Sequence, residues 1–347
     1  MLPAALITPA RNASAHLQAC IDSVLAQTTP LPFTWHVFDD GSTDDTRTLL
    51  EAARPALAAR QVQLHVTGTP AGLPARGCGF GRNRAVEQAA PDALLIFLDA
   101  DDVMAPERVA ALLEAAALNS PRCLYGSRYS REGEGRPREL AWHNGLTPQQ
   151  LVWQRLRDTT LAQPTWAVRR TWFDALGGYA EAAPNEGEDL LFFYKHLARG
   201  GELQRLEAAL VMYRHTQGGV VASRGVPAAR LFAIRLAELE QVLRQPPWCD
   251  GFTLWGLSRE GKALFKGLSG RARACVRAFA EVDAAKIGRP VLCEASGRRV
   301  PVLHFRAAAP PLLLCVKPGL TGAGEGSFEA NLASLGLQEG TDYMHFS

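Results

Sequence analysis

An α/β protein with a second, smaller Rossmann-like α/β domain is what the sequence predicts, on three observations. Short apolar runs alternate with stretches of helical periodicity from residue 4 to residue 118, which is the pattern of a parallel, right-handed sheet flanked by helices. Polar clusters fall at the carboxyl ends of those runs (Pro9–Asn12, Asp39–Asp40, Asp99–Asp102), where ligands bind in such sheets. After Pro246-Pro247 a fresh α/β pattern begins, and 347 residues suit two domains better than one.

The elements follow in order. Residues 4–8 predict a first strand, and Ser14 a cap for the helix carrying Leu17, Cys20, Ile21, Val24 and Leu25. A second strand over 33–38 ends in Asp39-Asp40-Gly41-Ser42, with Ser42 or Asp44 as the cap of a helix over 46–59. A third strand spans 62–66, and a Gly- and Pro-rich loop over 67–81 leads to a helix over 82–89. The fourth strand, Leu94-Leu-Ile-Phe-Leu98, reads as buried on both faces. A helix over 106–118 follows, then a strand over 125–129 and a loop over 131–138. Helices over 147–157, 171–176 and 190–197 and strands over 165–170 and 206–213 complete the larger part. The domains are expected at 1–222 and 249–347, with a helical linker over 223–248. In the second domain Gly256-x4-Gly261 lacks the glycine spacing of a dinucleotide fingerprint.

Composition is that of an ordinary globular chain, 47% hydrophobic and 21% charged with net charge +2. Seven scattered cysteines with no C-x-x-C pair predict reduced thiols. The amino terminus has no basic n-region, and no apolar run approaches the roughly 20 residues of a membrane span. The expectation is a soluble, cytoplasmic protein without a membrane partner.

Asp99, Asp101 and Asp102 close the fourth strand. Strand alternation would put Asp99 and Asp101 on one side, where two carboxylates repel unless a hard divalent cation sits between them. The plainer reading leaves Asp102 as a helix cap.

Five short motifs then resemble the inverting family 2 glycosyltransferases of the GT-A fold: Pro9-x-x-Asn12, Asp39-Asp40-Gly41-Ser42-x-Asp44, Arg82-Asn83-x-Ala85, Asp99-x-Asp101-Asp102 and Glu188-Asp189-Leu190. Three stretches are similar to the queuosine-tRNA galactosyltransferases, earlier grouped as β-1,3-N-acetylglucosaminyltransferase-like: Glu188–Tyr194, Val302–Pro311 and Leu337–Ser347. The resemblance implies transfer of galactose from UDP-galactose to the cyclopentene-diol of queuosine in tRNA. Within it, Asp40 would hold uracil, Thr8 and Pro9 would line the nucleotide, and Arg11 would stack on the base. Arg76 and Arg82 would pair with the diphosphate. Asp99, Asp101 and His215 would carry Mn²⁺ or Mg²⁺. Asp189 is the expected general base, with Glu188 orienting it or sharing its proton. Trp166 and His143 are candidates to flank the acceptor.

Residues 249–347 hold twelve Lys or Arg against nine Asp or Glu, 12 − 9 = +3, and Arg271, Arg273, Arg277, Arg298 and Arg299 are candidates to track phosphates. RNA recognition and self-association are both open roles for this domain. The competing readings are the same chemistry on a β-galactoside or other glycan, with UDP-GlcNAc or another UDP-sugar as donor, and a non-catalytic binding module. A nucleotidyltransferase is disfavoured, since the Gly-rich, Lys-containing amino-terminal loop is missing.

Overall fold

The computed structural model describes residues 2–132, 137–183, 186–214, 225–293, 296–317 and 324–346. They form two compact units, residues 1–148 with 161–230, and residues 149–160 with 231–347. Among the described residues no helix is long and apolar enough to cross a membrane.

The first unit is built on eight strands: β1 (Ala4–Ala10), β2 (Phe33–Asp39), β3 (Val62–Gly68), β4 (Leu94–Phe97), β5 (Val103–Met104), β6 (Cys123–Glu132), β7 (Ala167–Arg169) and β8 (Glu202–Arg214). Their order across the sheet is β3-β2-β1-β4-β7-β6-β8-β5. The expected parallel arrangement holds for β3-β2-β1-β4. It fails beyond, because β7 runs antiparallel to both β4 and β6, and β5 antiparallel to β8. A three-residue strand such as β7 has too little periodicity to announce its direction.

Apolar side chains of the parallel half close the core under α1 (Ser14–Leu25) and α2 (Thr46–Ala59). Leu6, Trp35, Leu94 and Ile96 are fully buried against Leu17 and Leu50. Burying each such side chain contributes about 1.5–3 kcal/mol. Trp35 also buries an indole N–H, which donates to the Thr8 hydroxyl at 2.9 Å.

Helix starts differ from expectation. Ser14 is the first residue of α1 and does not cap it; its N–H and that of Ala13 donate instead to Asp44 and Thr46. Helix α3 (Cys78–Glu87) begins four residues earlier than expected. Helix α4 (Arg108–Leu118) begins six residues after Asp102, so Asp102 caps nothing there. The loop expected over 131–138 gives way to α5 (Pro137–Gly145), whose polar sequence hides its helical period.

In the second unit, α6 (Gln150–Trp153) precedes α9 (Ala228–Val242), which lies in this unit from Leu231 onward; α7 (Arg170–Leu176) and α8 (Glu188–Ala198), between them in the chain, belong to the first unit. The Gln150 and Gln154 amides each donate to the Glu339 carboxylate at 2.8 Å, building the 149–160 stretch into this unit. Five parallel strands follow the order β13-β10-β9-β14-β15: β9 (Phe252–Trp255), β10 (Val276–Glu281), β13 (Val302–His304), β14 (Leu312–Leu314) and β15 (Tyr343–His345). A hairpin of β11 (Val291–Leu292) and β12 (Arg299–Val300) sits between β10 and β13 in sequence. Read by rank along the chain the order is 3-2-1-4-5, a doubly wound sheet. Helices α10 (Arg259–Gly267), α11 (Gly270–Ala274) and α12 (Phe328–Ala333) complete the unit.

Candidate functional site

The motif residues first build the loops of the first unit's carboxyl edge. Asp39 takes the Ser42 N–H at 2.9 Å, forming the turn after β2. Asn12, in the left-handed region at φ 48°, donates its N–H to the Ser42 hydroxyl and accepts the Thr43 N–H at 2.8 Å. Burial alone would raise the Asp44 carboxyl, but hydrogen bonds from Ser14 and Thr46 outweigh it and bring it to about 2. The loops after β1 and β2 are thereby one stitched surface.

Asp40 stands on that surface, 5% exposed. Its Oδ2 accepts the N–H groups of Arg76 (2.8 Å) and Gly77 (3.1 Å), while Oδ1 is buried without a hydrogen-bond partner among the described residues. A buried acceptor left over at a strand end suits an incoming ring N–H. Arg11 is placed differently from its expected stacking role. Its guanidinium donates to the Asp40 carbonyl and to the Leu73 carbonyl, tying the 70–77 loop down. Thr8 is fully buried with its hydroxyl on Trp35, and Pro9 lies against α3, where a Cβ on Gly81 would come within 3.0 Å of it. Arg76 lays its guanidinium 3.6 Å from the Phe80 ring centroid.

The acidic stretch after β4 is a turn, not a strand. The Asp102 N–H donates to the Asp99 carbonyl at 3.1 Å, and β4 already ends at Phe97, so strand alternation does not reach the acids. Asp102 is fully buried; Oδ1 accepts the Arg214 N–H at 2.9 Å and Oδ2 has no partner among the described residues. Burial first, and then the charges of Asp99 and Asp101, push its carboxyl well up. Asp102 Oδ2 is thus an unsatisfied buried oxygen with the charges of Asp99 and Asp101 acting on it. Among the described residues, no group of three His, Cys, Asp or Glu side chains is arranged to hold a metal; His215 lies outside the described residues.

Arg82 organises the centre of the site. It is 4% exposed and donates from Nη2 to Asp99 (2.7 Å) and Gln163 (2.8 Å), while Nη1 lies 3.7 Å from Glu188. The sequence places Arg82 at the first residue of a helix over 82–89, within reach of a diphosphate. The structure instead puts it inside α3, between the turn acid and the helix α8 (Glu188–Ala198) acid. Sequence reasoning did not find Gln163 or Tyr179, whose ring lies 5.6 Å from the Arg82 guanidinium, because both are remote in sequence. Asn83 carried a signal through the Arg82-Asn83 motif: its amide donates to the Tyr179 carbonyl and to Glu181, fixing the loop before α8.

Residues 5–177 match the family model described as Glycosyl transferase family 2. The chain carries a family 2 glycosyltransferase domain. Solved structures agree on the fold. S. aureus TarS 1-349 in complex with UDP-GlcNAc is 20% identical, with 71% of this chain and 68% of that chain covered and a TM-score of 0.56. The mannosyltransferase PcManGT from Pyrobaculum calidifontis, in complex with GDP-Man and Mn²⁺, is 18% identical over 71% of this chain and 65% of that chain, with a TM-score of 0.52. GalNAc-T7 with UDP, GalNAc and Mn²⁺ gives 19%, 69%, 48% and 0.50. The fold is therefore the GT-A mixed α/β sheet.

Beyond the matched stretch, still in the first unit, the Glu188-Asp189 pair opens α8, after Gly187 at φ 79°. Asp189 accepts the Leu190 N–H at 2.7 Å in the first turn of the helix. Glu188 is held close to α3 because residue 79 is glycine; a Cβ there would lie 2.8 Å from Glu188 Cγ. Burial raises the Glu188 carboxyl and Arg82 opposes that rise. Trp166 and His143 are core residues. The Trp166 indole donates to the Leu161 carbonyl and packs on Phe192 and Phe193, while His143 is 8% exposed and meets the Tyr129 hydroxyl.

Proposed function

We propose that the protein transfers galactose from UDP-galactose to a hydroxyl of the cyclopentene-diol of queuosine in a cytoplasmic tRNA, with inversion at the anomeric carbon. The observation that carries the transferase chemistry is Arg82, which holds Asp99 of the acidic turn and Glu188 of α8 around one buried guanidinium. The tRNA acceptor and the galactosyl donor rest on the resemblance of Glu188–Tyr194, Val302–Pro311 and Leu337–Ser347 to queuosine-tRNA galactosyltransferases. The nucleotide-sugar and Mn²⁺ complexes of the similar structures support a donor and a metal of that class.

Each residue then has a task. The Asp40 Oδ1 accepts the uracil ring N–H. Asp99 and Asp101 would hold Mn²⁺ or Mg²⁺, which supplies positive charge to the departing UDP. Asp189 takes the proton from the acceptor hydroxyl as its oxygen bonds to the anomeric carbon. The bond from that carbon to the diphosphate oxygen breaks, and its electron pair leaves with UDP. Glu188, buried and paired to Arg82, orients the first turn of α8.

The test is transfer from a panel of radiolabelled UDP-sugars onto total tRNA with and without queuosine. Label from UDP-galactose alone, entering only queuosine-containing tRNA, supports the reading. Label entering a β-galactoside instead discards the tRNA acceptor and keeps the transferase.

A further inference from the structure

In doubly wound sheets ligands ordinarily sit beyond the carboxyl ends of the strands. The second unit has closed that edge on itself. Glu281, at the end of β10, accepts the N–H groups of Leu257 (3.2 Å) and Val282 (3.0 Å) and pairs with Lys286 at 3.2 Å. A Cβ on Gly261 would lie 1.9 Å from the Gly256 carbonyl oxygen, so α10 runs hard against the turn after β9. Glu260, in the first turn of that helix, is paired with Lys317 at 3.1 Å.

The amino-terminal edge of the same sheet is the opposite. Arg277, exposed near the start of β10, donates to the Asp250 carbonyl ahead of β9 (2.8 Å) and the Pro310 carbonyl ahead of β14 (3.3 Å). Arg298, exposed beside the hairpin, donates to the carbonyls of Arg273 (3.0 Å) and Val276 (2.8 Å) at the other side of that start. Arg271 in α11 and Arg299 in β12 are exposed beside them. Among the described residues none of these arginines is within 4.0 Å of a carboxylate. Carbonyl contacts hold a guanidinium in place without neutralising it, and leave further N–H donors for a second acceptor.

We propose that this amino-terminal edge is an RNA-backbone surface, on which Arg271, Arg277, Arg298 and Arg299 contact phosphates. Arg271 and Arg277 lie on either side of the start of β10, and Arg298 reaches that same start through the Arg273 and Val276 carbonyls, so the cations gather at one place on this edge. Guanidinium forks suit phosphate oxygens in pairs. The inference deepens, and rests on, the RNA acceptor proposed above by naming where that acceptor's backbone lies.

The experiment uses the full chain and a fluorescently labelled tRNA transcript, with anisotropy read across a salt series. The variant is the pair Arg271→Gln and Arg299→Gln, both exposed and without described side-chain hydrogen bonds, and its melting curve checks the fold. Binding should weaken about tenfold, and the slope of log affinity against log salt should become shallower by about 2. Unchanged affinity and slope overturn the proposal, as does an equal loss on Arg47→Gln in the first unit. Polyglutamate binding as tightly as tRNA also overturns it, in favour of an acidic-peptide surface. If the pair weakens binding but no galactose enters queuosine-containing tRNA, the surface stands and the acceptor reading falls. If galactose enters and the KM for tRNA is unmoved by the pair, the surface falls and the acceptor reading stands.

Discussion

Two carboxyl-terminal sheet edges in one chain have been built to opposite ends. In the first unit, acids at the strand ends keep buried oxygens without hydrogen-bond partners among the described residues, Asp40 Oδ1 and Asp102 Oδ2. In the second unit, the corresponding acid Glu281 has backbone N–H groups and a lysine on its oxygens. An unsatisfied buried acceptor is costly, so a fold keeps it where something else completes it. The same topological position leaves acceptors open in one sheet and is a structural joint in the other. Topology alone therefore does not locate a site; hydrogen-bond accounting does.

The largest effect that can break this comparison is on turnover. Asp189→Asn should lower kcat by a factor on the order of 10²–10⁴ while leaving the melting temperature close to wild type, measured with the donor and acceptor that the panel identifies. Turnover near wild type would remove Asp189 from the chemistry. Arg82→Gln should strike both activity and fold, because it leaves Asp99 and Glu188 facing each other without their shared cation. A loss of about 3 kcal/mol in urea unfolding is expected, together with reduced kcat. A variant as stable as wild type would show the guanidinium to be dispensable.

Two glycines sharpen the contrast. Gly261→Ala puts a methyl group against the Gly256 carbonyl and should destabilise by about 1–3 kcal/mol with no specific effect on transfer. Gly79→Ala drives into both Glu188 and the Ala180 carbonyl and should depress kcat as well as stability. Equal responses from both would say that the two edges are not different in kind.

Much of this was legible in the residues. The apolar run at β4 and the helical periods of α1 and α2 land where periodicity puts them, while the expected caps do not, because Ser14 is already inside α1 and neither helix start carries a side-chain cap bond. What was hidden depends on contacts far apart in sequence. Arg82 stands out by its motif and its place at an expected helix start, but its partners Asp99, seventeen positions on, and Gln163, eighty-one on, leave no local trace. The Asp99–Asp102 turn defeated strand alternation because β4 ends at Phe97, before the acids, and a backbone hydrogen bond closes the turn. The direction of β7 and the existence of α5 were lost to shortness and polarity.

A smaller effect concerns pH. His196 accepts the Trp172 indole N–H at Nδ1 and donates from Nε2 to the Glu202 carbonyl, which defines its neutral tautomer. Burial lowers it from 6.5 to about 4, against the opposing pull of Glu202. The unfolded chain thus takes up a proton that the folded chain refuses, and stability should fall as pH drops from about 6.5 towards 4. His196→Gln should flatten that part of the urea-midpoint profile; an unchanged slope would assign it to other groups.

The measurement that tests the central claim most directly is calorimetric binding of UDP, with Mn²⁺ present, to wild type, Asp40→Asn and Glu281→Gln. The account predicts that Asp40→Asn loses most of the affinity, because an amide N–H₂ would face the uracil N–H, while Glu281→Gln binds UDP as wild type does. Wild-type affinity in Asp40→Asn with loss in Glu281→Gln would move the nucleotide to the second unit and contradict the account.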